Sequence, residues 1–229
     1  MGRIITIARG MGSGGKTIGK MLAKELDIPY YDKEIIRMAS DESGINEKLF
    51  GRVDEKIKNT IFNREEIYDG QIVHLFKDQV ELAGRKAVRE VILHCGAAAI
   101  IPVTADGKVL FVKQYRYPVG EALLEIPAGK MDPGETPDAC AARELEEETG
   151  YRGTLKKLGY VYTTPGFCNE TIHLYLATDL VHTAQHLDEG EFLDVLPIPL
   201  DEVWDMIRKG NIYDAKTLSA FAIARDALK

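Results

Sequence analysis

The chain has 229 residues, 45% of them hydrophobic, and a formal net charge of −7. That length can build one full domain with an appendage, and no apolar run approaches the roughly 20 residues needed to span a bilayer. The acidic balance opposes binding to a nucleic-acid backbone. Three cysteines, Cys95, Cys140 and Cys168, are odd in number and lack metal-site spacing, which suits a reducing cytosol.

In chain order, Arg3 to Ala8 reads as a short buried strand that runs straight into Gly10 to Thr17, GMGSGGKT, and then an amphipathic helix through about Glu25. The apolar stretch is too short for a signal peptide, so none is expected. The glycine run has the pattern of a phosphate cradle. Gly15 and its neighbours let backbone amides approach phosphate, Lys16 is set for the terminal phosphates and Thr17 for magnesium. A second helix is expected from Lys33. The stretch IITIARGMGSGGKTIGKMLAKELDIPYYDKEIIRMASDESG resembles the start of a cytidylate kinase-like protein, a likeness that would set Asp32 near the nucleotide acceptor. It breaks off at about residue 57, before the further strands, second acidic segment and lid that such a kinase needs. Some sixty residues also bury too little surface to be comfortably stable alone. We therefore expect residues 1–57 to be a kinase remnant without phosphotransfer activity, and residues 58–229 to be a separate domain. The first segment carries ten basic and nine acidic groups, so the acidity belongs to the second.

In the second domain, two apolar, β-branched runs within GAAAIIPVTADGKVLFVKQYRYP meet at Asp106-Gly107, a strong hairpin signal. They lead to the run GKMDPGETPDACAARELEEETGY, Gly129 to Tyr151. Thr136 followed by Pro137 is a good helix start and Gly150 a plausible stop. Between them Glu144, Glu147 and Glu148 stand three and four residues apart, on one face of about two turns. Like charges at that spacing repel, and Arg143 can pair with Glu147 or with Glu135. Two readings follow. One is a solvated acidic face, the ordinary meaning of a charge run. The other is a site for magnesium or manganese, hard cations that want carboxylate oxygens and leave room for water and phosphate.

The spacing bears on the choice. From Gly129 five residues lead to Glu135, seven more to Arg143, then Glu144, Leu145, a free position, Glu147, Glu148, a free position, Gly150 and apolar Tyr151. This resembles the Nudix hydrolase box at every constrained position. The flanking REVILHCGA, VKQYRYP, EIPAG, TTPGF, LDEGEF and YDAKT resemble the ADP-ribose pyrophosphatase branch of that superfamily, with Cys95 standing where proline is expected. The resemblance covers about residues 60–229. It implies magnesium-dependent hydrolysis of ADP-ribose or a related ADP-sugar to AMP and ribose 5-phosphate. By carry-over, Glu144, Glu148 and the Ala128 carbonyl are metal ligands, and Glu147 is a ligand or a group supporting them. Gly129, Glu135, Arg143 and Gly150 are mainly structural.

The box carboxylates are committed to metal, so the general base should come from another segment. Glu189 and Glu191, beside the flexible Gly190, fit that part, with Glu147 as a further candidate within the box. For the substrate the resemblance offers Arg89 and Arg116 as phosphate or ribose partners, Glu170 for ribose hydroxyls, and Pro165 as a mark of ADP-ribose preference. Tyr68 or Phe62 is a candidate to stack on adenine, across a homodimer interface, although each aromatic can as well be packing. The five histidines show no metal spacing.

Downstream, YVYTTPGFCNETIHLYLA reads as strand, turn and strand around Pro165-Gly166. A helix is expected over Asp201 to Arg208 with Gly210 as its stop, and another from about Asp214 to Leu228. The fold class is α/β: a Nudix α/β/α sandwich with a mixed curved sheet, plus a small strand, glycine loop and helix at the N-terminus. A cytoplasmic enzyme acting on a small nucleotide-sugar, with no nucleic-acid or membrane partner, is the expectation. The competing classes are a phosphotransferase using the glycine loop and a non-catalytic ADP-ribose sensor. The second has no need for three mutually repelling glutamates.

Overall fold

The computed structural model describes residues 24–25, 60–82, 85–188 and 190–228. The glycine-loop residues Gly15, Lys16 and Thr17, Asp32, and loop residue Glu189 lie outside them. By its contacts the chain divides into residues 1–60 with 82–84 and residues 61–81 with 85–229, and the second unit is described below.

It opens with a three-stranded sheet in the order β1 (Thr60–Asp69), β2 (His74–Leu82), β3 (Arg85–Leu93). The connections are too short for crossovers, so neighbours run antiparallel. The end of β3 meets a later turn, where the Ile92 amide donates to the Phe167 carbonyl at 2.7 Å and the Asn169 amide to the Ile92 carbonyl at 3.2 Å.

Next come β4 (Ala97–Pro102), β5 (Lys108–Arg116), β6 (Glu121–Glu125), β7 (Ala128–Lys130), helix α1 (Pro137–Thr149), β8 (Tyr151–Tyr162), β9 (Thr171–His182) and β10 (Leu193–Pro199). Helices α2 (Leu200–Lys209) and α3 (Ala215–Ala224) finish the unit. The strands form a four-stranded sheet, β7-β4-β9-β8, and a three-stranded sheet, β10-β5-β6. The first is mixed, since β4 and β9 are parallel while the β4/β7 and β8/β9 pairs are antiparallel.

The turn expected at Asp106-Gly107 is present, with Gly107 at φ 77°. Its flanking strands do not make a two-stranded hairpin. After a single bridge between Val103 and Val109 they part, β4 into the mixed sheet and β5 into the antiparallel one. Burial explains the parting, because every residue of β4 is buried and the strand needs cover on both faces. Ala97, Ala99 and Ile101 pack with Val203, Ala220 and Phe221 of α2 and α3, whereas Ala98 and Ile100 pack with Cys140, Ala141 and Leu145 of α1. Helices thus lie on both sides of the mixed sheet, as the sandwich reading requires.

The helix boundaries follow local signals. Gly210 ends α2 in the left-handed region at φ 69°, donating to the carbonyls of Ile207 and Met206. Asp214 caps α3 by accepting from the Thr217 amide at 2.9 Å. That helix stops at Ala224, short of the expected Leu228, and the chain finishes in turns held by the Ala224 carbonyl. Among the described residues no helix is long and apolar enough to cross a membrane.

Candidate active site

Helix α1 starts and stops where its sequence dictates. The Thr136 hydroxyl accepts from the Ala139 amide at 3.3 Å, Pro137 opens the first turn, and Gly150 closes the helix at φ 71°, donating to the Glu146 carbonyl. Tyr175 donates to Asp138 at 2.5 Å and so fastens the first turn to β9. Buried Cys140 lies with its sulfur 3.5 Å from the carbonyls of Gly129 and Lys130. Burial pushes its thiol up to about 12, so it is packing rather than a nucleophile.

This docking turns Glu144 and Glu148 inward, with 8% and 2% of their surface exposed. The Glu148 carboxylate accepts from the Ala128 amide at 2.9 Å. Glu144 sits against Gly129 so closely that a Cβ at position 129 would fall within its carboxylate. The glycine is required by that approach. Glu147 is partly exposed at the edge of the pair.

Arg143 distributes one guanidinium over the cluster. Its Nε and Nη2 form a fork to Glu135 at 2.9 Å each, Nη2 reaches the Lys130 carbonyl at 3.0 Å, and Nη1 contacts Glu144 at 2.7 Å and Glu147 at 2.9 Å. The hydrogen bond from Arg143 holds Glu135 down to about 2. Glu144 fares differently: burial pushes it up to about 7 against the pull of Arg143, and Glu147 and Glu191 add to the rise. Burial likewise pushes Glu148 up to about 8, with Glu144 and Glu191 adding and the Ala128 amide and Arg116 opposing. Two desolvated carboxylates therefore face each other with less positive charge than they need.

A divalent cation suits that deficit. Among the described residues no three acidic, histidine or cysteine side chains are already gathered as a finished ligand set. The donors are nonetheless hard oxygens on one helix face beside a backbone strand, and oxygen donors are what magnesium and manganese take. On these grounds the residues fit the ion.

The field of Glu191 at Glu144 and Glu148 brings the loop before β10 to the box. The Gln114 side-chain amide of β5 donates to Glu191 at 2.9 Å and pins it. Arg116, two residues along β5, forks onto Glu125 through Nε and Nη2, both at 2.8 Å. Glu170 accepts from the Thr163 hydroxyl at 2.7 Å and lies 3.5 Å from His94. Pro165 lines a cavity of ≈ 300 Å³ with Val91, Tyr162 and Phe167. Arg89 and Tyr68 are exposed on the first sheet, Arg89 donating to the Val88 carbonyl. The box, Ala128, Glu191 and Arg116 thus come within reach of one another. Gln114, Glu125, Lys216 and His94 escaped the sequence reading. All four lie within the stretches VKQYRYP, EIPAG, YDAKT and REVILHCGA, so position in those motifs was the available signal.

Fold and site together define an α/β protein in which helix-borne carboxylates lie against a backbone corner, within electrostatic reach of an arginine on the neighbouring sheet. The NUDIX domain family matches residues 93–221, and the chain belongs to that family. The cytidylate kinase-like family matches residues 4–110, reaching past residue 57 and overlapping the Nudix match over β4 and the start of β5. Among relatives, the chain is 42% identical over 170 residues to an ADP-ribose pyrophosphatase of Bacillus subtilis, covering 72% of this chain and 91% of that protein. It is 44% identical over 171 residues to a methanol dehydrogenase activator of Bacillus methanolicus, covering 72% and 92%. A crystal structure of an ADP compounds hydrolase superposes with a TM-score of 0.67 at 25% identity, covering 75% of this chain and 94% of that one.

Proposed function

We propose that the protein hydrolyses the diphosphate of ADP-ribose, or of a related ADP-sugar, to AMP and ribose 5-phosphate with Mg2+, Mn2+ being an alternative ion. The observation that carries this reading is the pair of buried carboxylates, Glu144 and Glu148, packed against Gly129 and Ala128 with, among the described residues, one direct cationic contact, from Arg143, on Glu144. The relative named an ADP-ribose pyrophosphatase supports the substrate class. The equally similar methanol dehydrogenase activator makes the choice among nucleoside diphosphate derivatives a matter for assay.

Glu144, Glu148 and the Ala128 carbonyl, with Glu147 beside them, would hold the ion. When bound it supplies charge neutralisation at the non-bridging phosphate oxygens and acidifies water. Arg143 and Glu135 keep the carboxylates oriented. Water attacks one phosphorus, the bridging P–O bond breaks, and each phosphate leaves on its own product. Glu191, held by Gln114, accepts the proton of the attacking water; Glu189 shares that loop and is the rival base. Arg116 binds a phosphate oxygen, Glu170 the ribose hydroxyls beside the Pro165 turn, and Arg89 and Tyr68 the nucleotide end in a homodimer. Residues 1–57 are a remnant whose Gly15, Lys16 and Thr17 take no part in hydrolysis by residues 58–229, and the enzyme is cytoplasmic.

Incubation with ADP-ribose and Mg2+ should release AMP and ribose 5-phosphate, and chelation should stop it. No turnover, or faster turnover of another member of a dinucleotide and nucleotide-sugar panel, removes the specific assignment. Size-exclusion chromatography with light scattering tests the dimer.

A further inference from the structure

Glu125 has almost no exposed side-chain surface, 2%, yet it is surrounded by charge. Arg116 grips both of its oxygens, and the Lys216 ammonium donates to Oε2, the oxygen that Arg116 Nη2 also uses. Lys216 donates as well to Asp214 at 3.0 Å, and Asp214 is fixed as the cap of α3. Burial works to raise the Glu125 carboxyl, but the hydrogen bonds and charges of Arg116 and Lys216 override it and hold the group below the usual carboxylate range.

The two cations are not equivalent. Arg116 is the outer member, with 37% of its side chain exposed against 12% for Lys216. The field of Glu148 acts on the Arg116 guanidinium, so the arginine stands within electrostatic reach of the box. If Arg116 were the sole partner of Glu125, turning toward a phosphate would strand a buried carboxylate, a penalty that would hold the arginine in place. A second cation from the inner side removes that penalty. Lysine suits the part, because its three donors can serve two carboxylates at once.

We propose that Lys216 is a positioning residue: it keeps Glu125 compensated, so that Arg116 can exchange its fork from Glu125 to a substrate phosphate. The inference rests on the hydrolase reading above. Arg116 supplies the contact, Glu125 parks and aims it, and Lys216 makes its release cheap.

The test measures KM and kcat for ADP-ribose with Mg2+ in the full chain, together with Tm. K216Q should raise KM about tenfold while kcat changes by less than about threefold, the signature of lost ground-state and transition-state binding in equal measure. K216R should recover most of that loss. In an R116A background K216Q should add nothing, because the arginine it serves is gone. The pair E125Q/K216Q should bind substrate better than K216Q alone, since a neutral side chain at 125 needs no counter-ion. A folded K216Q with wild-type KM overturns the proposal, as does a loss that multiplies with R116A or a fall in Tm without change in KM. If K216Q does not fold, E125Q/K216Q against E125Q keeps the proposal testable: with no carboxylate at 125 to compensate, loss of Lys216 should leave KM unchanged, and a KM raised about tenfold there overturns the proposal. Wild type that turns over no nucleoside diphosphate derivative sinks the underlying hydrolase reading instead, and this inference with it.

Discussion

Glu148 concentrates the chemistry of the site in one side chain. It is buried, touches the backbone corner at Ala128 and feels Glu144, and its carboxyl is pushed up to about 8 by burial and that neighbour. Glu148→Gln keeps the shape and removes the charge, so turnover with Mg2+ should fall by roughly 100-fold or more with the circular dichroism spectrum unchanged; a near-normal rate would refute the metal role. The same burial predicts a pH dependence of the metal-free protein. Glu144 and Glu148 have folded values near 7 and 8 against an ordinary 4.5. The unfolded chain therefore gives up these protons first as pH rises. Their contribution is fully present below about 4.5 and is lost as pH rises toward 8. The Tm of chelator-treated protein should drop between about pH 5 and pH 8, less in Glu148→Gln, and Mg2+ should restore it at the upper end, where the ligands are deprotonated. A Tm that rises across this range would show that the two carboxylates are compensated in some other way.

Element boundaries divide what sequence can and cannot disclose. The box helix, its cap at Thr136, the stop at Gly150, the turn at Asp106-Gly107 and the Gly210 stop were all legible, because each is decided within a few residues by a hydroxyl, a proline or a glycine. The parting of β4 from β5 was not, since it depends on cover that α1, α2 and α3 bring to β4. The Glu125 to Lys216 contact joins residues 91 apart in sequence, and nothing local marks either as a partner. Arg143 was legible as a partner of Glu135 or Glu147, but its four-way division was not, because it needs the helix docked on the loop. Gly150 offers the sharpest test at this scale. Its φ of 71° opposes a side chain, and so does the space around it, because a Cβ at this position would lie 3.0 Å from the Gln185 amide nitrogen. Gly150→Ala should cost roughly 1–2 kcal/mol, lowering Tm by about 4 °C, measured by thermal unfolding; an unchanged Tm would mean the loop at Gln185 yields freely.

At the scale of the whole molecule, two families claim overlapping stretches, residues 4–110 and 93–221. On our reading catalysis belongs to the second alone. Deleting residues 1–57 should leave kcat and KM for ADP-ribose within about threefold of the full chain, the spread expected of sites that do not interact. A folded truncation without activity would tie the N-terminal segment to hydrolysis. Within the second unit the chain passes between the mixed sheet and the antiparallel sheet at 103–107, 126–127 and 183–192. The last two passages lead into Ala128 and carry Glu191, while α1 packs on one sheet and Arg116 grows from the other. The groups we propose for catalysis are thus stitched along a seam, with the box carboxylates hemmed to one fabric and the cation to its neighbour. Slippage of the seam would disarm the enzyme while both sheets keep their hydrogen bonds. Mild denaturant should therefore abolish hydrolysis before the far-ultraviolet signal changes, and coincident loss of the two would show that the sheets let go only together.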